Sequence, residues 1–303
     1  MDLSRKVCGL TFKNPVLAAS GTFGYGGEFK DFFDAARLGG FVTKAVTPEP
    51  RRGNPAPRII ETPSGMLNAI GLQNSGLDDF VTKTVPGLLP LDTVVIVNIA
   101  GRRAEDYVTV AATLDSIERI DAIELNISCP NVGEGGDSFG GTADSAAKVV
   151  ADVRRATSKP LIVKLTPNVR NIAEIAKAAE DEGADAVSLI NTVTGMVVDV
   201  EERRPMLANV TGGLSGPAIR PIAVRMVFET ARAVSIPVIG MGGIFCARDA
   251  LEFLIAGASL VQIGCGMFVK PALPIEVIEG IEEYLDRHGF ASVADIVGSI
   301  TLG

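Results

Sequence analysis

The segment from Glu124 to Asn131 reads Glu-Leu-Asn-Ile-Ser-Cys-Pro-Asn and joins a strand-like apolar run, Ala122 to Ile127, to a glycine-rich loop. The loop extends from Gly133 to Gly141. Amide and thiol groups at the end of an apolar strand are unfavourable to bury unless a polar ligand meets them. A glycine-rich segment beside them suits a lid over a small-molecule site. The alternative is a packed cysteine before an ordinary turn.

Short β-branched runs alternate with helical patterns along the whole chain. The predicted strands are Val16–Ala19, Phe41–Lys44, Val94–Ile99, Ile123–Ile127, Leu161–Leu165, Ala186–Asn191, Val238–Met241 and Leu260–Gly264. The predicted helices include Glu28–Arg37, Ala104–Arg119, Thr142–Thr157, Ile172–Glu182, Ala218–Val234, Ala247–Ile255 and Pro274–Arg287. Strands that are apolar on both faces indicate a parallel sheet covered by helices. In 303 residues this pattern predicts an α/β protein, a (β/α)8 TIM barrel, as a single domain over residues 1–303.

Three segments depart from the minimal barrel. Lys6–Phe12 predicts an N-terminal strand or hairpin that plugs the barrel bottom. Thr47–Asp79 and Val193–Gly216 are long loop insertions after the second and sixth strands. Together with the 129–141 loop they follow the carboxyl ends of strands, which form the active-site face of such barrels.

Charge and composition exclude several classes of partner. A net charge of −8 argues against nucleic acid and anionic membranes. The start of the chain lacks a signal-peptide layout, and no apolar run approaches the roughly 20 residues that span a bilayer. Four widely spaced cysteines predict a reduced cytoplasmic setting and offer no framework for zinc or an iron–sulfur cluster. The single histidine, His288, is predicted to end an outer helix, which argues against histidine-based catalysis and metal binding.

Polar residues or glycines stand where each of the eight predicted strands ends. They are Ser20-Gly21, Lys44, Asn98, Asn126 to Cys129, Lys164, Asn191-Thr192, Gly242-Gly243 and Gly264-Cys265. A lysine at the mouth of a barrel is desolvated and needs an anion or an electron-rich ring. A structural ion pair is the alternative for either lysine.

The loops after the seventh and eighth strands, Gly240–Phe245 and Gly264–Phe268, are rich in glycine. Barrels commonly hold a ligand's phosphate there, because backbone N–H groups approach closely and a helix follows. The competing interpretation, a dinucleotide fingerprint, lacks its third glycine and its acidic residue. We therefore predict a mononucleotide-type phosphate site.

In the first insertion, the amides of Asn68–Asn74 suit a ring with carbonyl and N–H groups, although the segment alone is also compatible with a mere turn.

In combination, five motifs resemble the dihydroorotate dehydrogenases of pyrimidine biosynthesis over essentially the whole chain. They are Asn14-Pro-Val-Leu-Ala-Ala-Ser-Gly21, Asn68-Ala-Ile-Gly-Leu-Gln-Asn74, the 124–131 segment, Ile190-Asn-Thr192 and Gly242-Gly-Ile244. The chain has cysteine rather than serine at position 129, and in this it resembles the class 1 enzymes of the family. The Gly-Leu-Gln-Asn74 form resembles subclass 1B, the catalytic subunit of an NAD-linked enzyme. Two positions depart from the family pattern, Cys265 in place of threonine and Ser75 in place of proline.

The resemblance implies FMN at the barrel mouth and assigns residues to it. The flavin-contacting positions are Ser20, Lys44, Ala45, Asn98, Asn126, Lys164, Ile190, Gly216, Gly242, Gly243, Gly264 and Cys265. The substrate-contacting positions are Lys44, Asn68, Ala69, Ile70, Gly71, Leu72, Asn126, Asn131, Asn191 and Thr192.

The implied reaction oxidises dihydroorotate to orotate. Cys129 is the expected general base for the C5 proton, and the C6 hydride passes to the flavin. Lys164 would stabilise negative charge at the flavin, and Lys44 would pair the substrate carboxylate.

The resemblance also implies a partner. FAD and a 2Fe-2S centre are expected only on a separate electron-transfer subunit, in a heterotetramer of two plus two. Alternatives within the fold are a fumarate-linked subclass 1A enzyme or a dihydropyrimidine dehydrogenase. A non-redox barrel that binds a phosphate ligand is the alternative from another class.

Overall fold

The computed structural model describes residues 1–128 and 139–303. In chain order the strands there are β1 (Arg5–Val7), β2 (Leu10–Phe12), β3 (Val16–Ala18), β4 (Gly40–Val42), β5 (Ile59–Thr62), β6 (Gly65–Asn68), β7 (Val94–Ile99), β8 (Ala122–Asn126), β9 (Leu161–Lys164), β10 (Ala186–Leu189), β11 (Val193–Gly195), β12 (Val198–Asp199), β13 (Arg204–Pro205), β14 (Gly212–Ser215), β15 (Val238–Met241) and β16 (Leu260–Ile263). The helices are α1 (Leu77–Asp79), α2 (Val85–Leu88), α3 (Ala104–Asp115), α4 (Ala143–Ala156), α5 (Ile172–Asp181), α6 (Arg220–Ala231), α7 (Ala247–Ala256), α8 (Gly266–Val269) and α9 (Leu273–His288).

Eight of these strands close into a parallel barrel, in the order β3-β4-β7-β8-β9-β10-β15-β16, and β16 pairs with β3 to complete the ring. Both faces of the strands are buried. In β3, Leu17 belongs to the cluster inside the barrel, whereas Val16 and Ala18 belong to the larger cluster that includes the helices. The predicted TIM barrel is therefore confirmed.

The N-terminal hairpin closes the amino end of the barrel. Strands β1 and β2 pair antiparallel, and Val7 and Phe12 are buried against the lowest inward-facing residues, such as Leu17 and Ile96. The thiol of Cys8 in the hairpin turn donates to the carbonyl of Asp185 at 3.2 Å, and burial raises the pKa of that thiol to about 12. Cys8 is thus an unreactive structural cysteine. The predicted plug is confirmed.

The two long insertions meet at the opposite end. Strand β6 of the first insertion pairs with β14 of the second, which gives a four-stranded antiparallel sheet in the order β11-β14-β6-β5. We call it the upper sheet. The first insertion also runs into a continuous helical stretch, in which a π-helical segment, Phe80–Thr84, joins α1 to α2. Both insertions therefore lie on the same face, as expected, but the sequence did not predict that they form one sheet.

One predicted helix is wrong. Residues Glu28–Arg37 form turns and then a short 3-10 helix, Ala35–Arg37, instead of a continuous helix. The Glu28 carboxylate accepts hydrogen bonds from the backbone N–H groups of Tyr25 and Gly27, and Asp34 caps the N–H of Ala36. These local bonds compete with helix formation. The apolar residues whose spacing looks helical pack instead in a cluster of phenylalanine rings. In this cluster the ring centroids of Phe23 and Phe29 are 5.2 Å apart.

The last long helix, α9, ends as predicted. Its final residue is the exposed His288, and Gly289 follows in the left-handed conformation with φ of 73°. An imidazole at this position is near the negative end of the helix dipole. His288 is therefore an exposed helix-end residue and does not stand at a strand end.

Candidate active site

A cavity of about 760 Å³ lies at the carboxyl end of the barrel, between the strand ends and the upper sheet. Asn98 at the end of β7, Asn126 at the end of β8 and Lys164 at the end of β9 line it from below. Met66 and Asn68 of β6 line it from the upper sheet. The volume is typical of a site for a small molecule or cofactor. The cavity is therefore on the face where the sequence predicted a site.

Most of the predicted site residues line this one cavity. From the expected cofactor set they are Ser20, Lys44, Ala45, Asn98, Asn126, Lys164, Ile190, Gly242, Gly243, Gly264 and Cys265. From the expected substrate set, besides Lys44 and Asn126, they are Asn68, Ala69, Ile70, Gly71, Leu72, Asn191 and Thr192. Positions spread over most of the chain thus converge on one cavity.

Three predicted residues stand apart. Cys129 and Asn131 lie outside the described residues. Ser128, which precedes Cys129, is buried and lines the cavity. Gly216 is absent from the cavity lining and lies behind Gly243: a Cβ on Gly243 would stand 2.6 Å from the Gly216 carbonyl oxygen.

Lys164 is buried at the floor of the cavity, only 4% exposed. Its Nζ donates to the Oγ of Ser20 at 2.9 Å and lies 3.8 Å from a carboxylate oxygen of Glu124. The structural ion pair considered from the sequence therefore exists. It does not exclude a ligand, because the same ammonium group has three donors and borders the cavity.

Lys44, in contrast, has no ion pair with any residue that the structure describes. Burial, followed by the charge of Arg58, lowers the pKa of Lys44, and Glu28 opposes this effect weakly. A lysine whose charge is destabilised in this way gains most from an anionic ligand. Lys44 is therefore the better candidate of the two for a substrate carboxylate.

Amide and hydroxyl groups form a chain along the cavity floor. Asn126 Oδ1 accepts a hydrogen bond from the Ser128 hydroxyl at 2.6 Å, and the Ser128 oxygen in turn accepts from Asn191 Nδ2. Asn126 Nδ2 approaches Asn98 Oδ1 at 3.5 Å. The three asparagines are thus fixed in orientation before a ligand arrives, which favours selective binding of a ring with polar edges.

The two glycine-rich loops allow a ligand to come close to the protein backbone. Gly242 and Gly243 have φ of 130° and 74°, values that side chains rarely adopt. Within the described residues, the backbone N–H groups of Gly243 and Gly264 have no hydrogen-bond acceptor in the protein. Asp249 accepts hydrogen bonds from the backbone N–H groups of Phe245 and Cys246, which precede α7. The N–H groups of Gly243 and Gly264 are therefore available donors for a phosphate.

Glu124 is the main residue to which the sequence analysis gave no role. Its side chain is fully buried, and its carboxylate accepts hydrogen bonds from Asn98 Nδ2 at 2.7 Å, Ser188 Oγ at 2.9 Å and Gln262 Nε2 at 3.0 Å. An acidic residue between Ile123 and Leu125 in an apolar strand was the available signal. Such a residue is almost never buried without partners.

Arg58 is a second missed cavity residue. It lies at the start of the upper sheet, and its guanidinium donates to Gln73 Oε1 at 2.6 Å and to the Asn54 carbonyl. No periodic pattern marks it, because its segment is an irregular insertion. Its position adds a second positive charge near Lys44.

The part of the chain that the structure describes contains no group of three His, Cys, Asp or Glu side chains arranged to hold a metal ion. Within the same residues, every helix is too short or too polar to cross a bilayer.

Comparison with known proteins identifies the family. The family model for dihydroorotate dehydrogenase matches residues 2–285. The chain is 56% identical over 299 residues to a Bacteroides thetaiotaomicron protein and 54% identical over 299 residues to one from Pelobacter propionicus. Both are called dihydroorotate dehydrogenase B (NAD(+)), catalytic subunit, and the matches cover 99% of this chain with 99% and 98% of the relatives.

The fold is also that of a solved structure. The crystal structure of DHODH from Eimeria tenella in complex with ferulenol aligns with a TM-score of 0.81 over 98% of this chain and 88% of that one, at 24% identity. This likeness concerns the fold alone. The family model and the full-length relatives show that the chain belongs to the dihydroorotate dehydrogenase family.

Proposed function

We propose that this protein oxidises dihydroorotate to orotate in pyrimidine synthesis, as the FMN-dependent catalytic subunit of an NAD-linked enzyme. The observation that carries the proposal is the convergence of Lys44, Lys164 and three fixed asparagines on one cavity in a chain of this family. The relatives' name supports both the substrate and the NAD linkage.

The donor groups of the cavity fit FMN. The N–H groups of Gly243 and Gly264 are available to a phosphate, and an added Cβ on Gly243 would meet the Gly216 carbonyl and Arg220. Glycine at this position thus keeps the loop backbone accessible. Lys164 and Asn98 offer polar contacts to the ring at the opposite side of the floor. When bound, FMN supplies the hydride acceptor for the CH–CH bond of the substrate.

The remaining cofactor positions complete this site in the proposal. Ser20 orients Lys164 through its hydrogen bond, and Ala45 and Ile190 provide apolar contacts. Gly216 acts indirectly by supporting Gly243. Cys265, whose pKa is raised by burial, contributes its backbone rather than a charged thiolate.

Substrate recognition is assigned to the face below the upper sheet. Lys44 pairs the carboxylate of dihydroorotate, and Asn126, Asn191 and Thr192 bond the amide groups of its ring. The turn from Asn68 to Leu72 closes over the ring. Asn131 is proposed as a further substrate contact from its place in the family motif.

Cys129 is proposed as the general base that removes the C5 proton. A free thiol has a pKa near 8.5, so only a few per cent is thiolate at neutral pH. The support is its sequence position directly after Ser128, which lines the cavity. A nearby positive charge such as that of Lys44 would favour the thiolate.

The electron acceptor is proposed to lie on a second subunit that carries FAD and a 2Fe-2S centre, in an assembly of two plus two. The chain's four cysteines are widely spaced, which supports placing the cluster elsewhere. The relatives' designation as a catalytic subunit supports a separate electron-transfer chain.

Reduction followed by selective reoxidation tests this proposal. The purified, FMN-loaded chain is reduced with dihydroorotate, and fumarate or NAD⁺ is then added with and without its co-purifying protein. We expect bleaching of the visible flavin band by dihydroorotate and rapid return of the band with NAD⁺ only when the partner is present. Fast turnover with fumarate alone would indicate subclass 1A, and reduction by dihydrouracil but not dihydroorotate would indicate a dihydropyrimidine dehydrogenase. A colourless protein that takes up no FMN would contradict the proposal.

A further inference from the structure

Glu124 places a carboxylate inside the barrel, directly beneath the cavity. It is the third residue of β8 and is 0% exposed. Its hydrogen-bond partners come from β7 (Asn98), β10 (Ser188) and β16 (Gln262), and Lys164 of β9 lies within ion-pair distance. One side chain therefore connects strands on different sides of the barrel.

The partners of Glu124 fall into two groups. Asn98 and Lys164 line the cavity. Ser188 and Gln262 are buried in the barrel interior and do not line it. The carboxylate thus holds two cavity-floor residues from below, while the two interior residues hold the carboxylate.

Stability alone does not account for a carboxylate at this place. The neighbouring interior positions are aliphatic, for example Ile96 and Ile162, and packing of that kind needs no charge. Replacing a buried ion pair with apolar residues of similar volume is often neutral or stabilising. The network is also imperfect, since among the described residues Gln262 Oε1 is buried without a hydrogen-bond partner.

We infer that Glu124 is a positioning residue that sets the charge and orientation of Lys164 and Asn98 at the flavin site. This inference rests on the proposed function. Lys164 carries a positive charge towards the cavity, and Glu124 at 3.8 Å offsets part of it. A charge near a reduced flavin, which is more negative than the oxidised form, changes the relative affinity for the two forms.

The sign of the effect follows from electrostatics. Removing the negative charge of Glu124 leaves Lys164 uncompensated, so the protein gains affinity for reduced FMN relative to oxidised FMN. We expect Glu124→Gln to raise this affinity ratio on the order of tenfold. A tenfold ratio corresponds to a rise of about 30 mV in the midpoint potential of a two-electron couple.

The test is a measurement of the midpoint potential of bound FMN against reference dyes, with thermal unfolding in parallel. Ser188→Ala is the matched control, because it removes a hydrogen bond from the same carboxylate without changing its charge. We expect the potential to rise in Glu124→Gln and to stay near the wild-type value in Ser188→Ala, while both variants lose some stability. A Glu124→Gln potential equal to or below that of the wild type would overturn the inference.

A second comparison covers the case in which Glu124→Gln alone does not fold. Removing both partners of a buried pair is less disruptive than removing one. In a Lys164→Met background, the added Glu124→Gln change should shift the potential by much less than about 30 mV, because the lysine through which Glu124 acts is absent. A rise of about 30 mV or more from Lys164→Met to the double variant would show that Glu124 acts on the flavin without Lys164, and it would overturn the inference. If the wild-type protein binds FMN and is reduced by dihydroorotate, a failure of this test counts against the inference and not against the proposed function.

Discussion

Lys164 donates a 2.9 Å hydrogen bond to the hydroxyl of Ser20, a residue 144 positions earlier in the chain. Ser20 follows β3 and Lys164 ends β9, so the bond spans the mouth of the barrel. It restricts a flexible lysine side chain to one direction. An ammonium group that is oriented before binding loses less conformational entropy when a ligand arrives.

Ser20→Ala should therefore weaken FMN binding without unfolding the protein. Loss of one hydrogen bond to a charged group, with partial replacement by water, predicts about a tenfold increase in the dissociation constant. Fluorescence titration of the FMN-free protein measures it. Ser116→Ala, at the exposed end of α3, removes a surface hydroxyl and should leave the constant unchanged. An unaltered constant for Ser20→Ala would show that the Ser20–Lys164 bond does not support the flavin.

The lowered pKa of Lys44 predicts that orotate binding depends on pH. The charged form binds the carboxylate, and burial together with Arg58 lowers the pKa of Lys44 in the free site. Affinity for orotate should therefore fall as the pH rises, and the fall should begin below the pH at which an ordinary lysine titrates. Lys44→Met should weaken binding about 10- to 100-fold at neutral pH, as expected for loss of a charged hydrogen bond.

The matched variant is Lys44→Arg, because guanidinium stays charged over the accessible pH range. Its orotate affinity should show only the pH dependence that belongs to the ligand. Spectral titration of the FMN-loaded protein with orotate gives each constant. Identical pH profiles for wild type and Lys44→Arg would refute the role of Lys44.

Gly243→Ala tests whether the glycine-rich loop at Gly242 and Gly243 holds FMN. Its φ is 74°, and the new Cβ would lie 2.6 Å from the Gly216 carbonyl oxygen. Strain and overlap of this kind predict a loss of about 1–3 kcal/mol in the free energy of unfolding, together with release of FMN.

Gly87→Ala is the control for this change. Gly87 lies in α2, has no heavy atom within 4 Å of an added Cβ, and has no positive φ. Alanine there should be neutral or stabilise the protein by up to about 1 kcal/mol. Urea unfolding measures the free energy of unfolding of both variants. Equal effects from the two changes would argue against a special role for the glycine at position 243.

The sequence predicted the barrel well because its strands carry a simple signal. Runs such as Val94–Ile99 and Val238–Met241 are apolar on both faces, and the structure has strands with those same bounds. The hairpin plug was equally predictable, since Val7 and Phe12 are apolar residues ahead of the first barrel strand. Motifs at strand ends located most of the cavity for the same reason: parallel strands bring their carboxyl ends together.

Features that depend on distant partners were not predictable in this way. The upper sheet pairs Leu67 with Leu214 across two separate insertions, and neither segment alone has a strong strand pattern. The Glu28–Arg37 segment has helical spacing, but side-chain caps and ring packing decide its conformation. Glu124 was visible in the sequence as a misplaced charge, but its role depends on partners from four other strands.

The most direct test of the account is the rate at which dihydroorotate reduces the bound flavin under anaerobic conditions, compared between wild type and Cys129→Ala. Stopped-flow absorbance in a single turnover isolates this step from the electron acceptor. We expect rapid bleaching of the wild-type flavin, and bleaching about 10²- to 10⁴-fold slower in the variant, which should keep its FMN. Wild-type rates in Cys129→Ala, or no bleaching of FMN-loaded wild-type protein by dihydroorotate, would contradict the account.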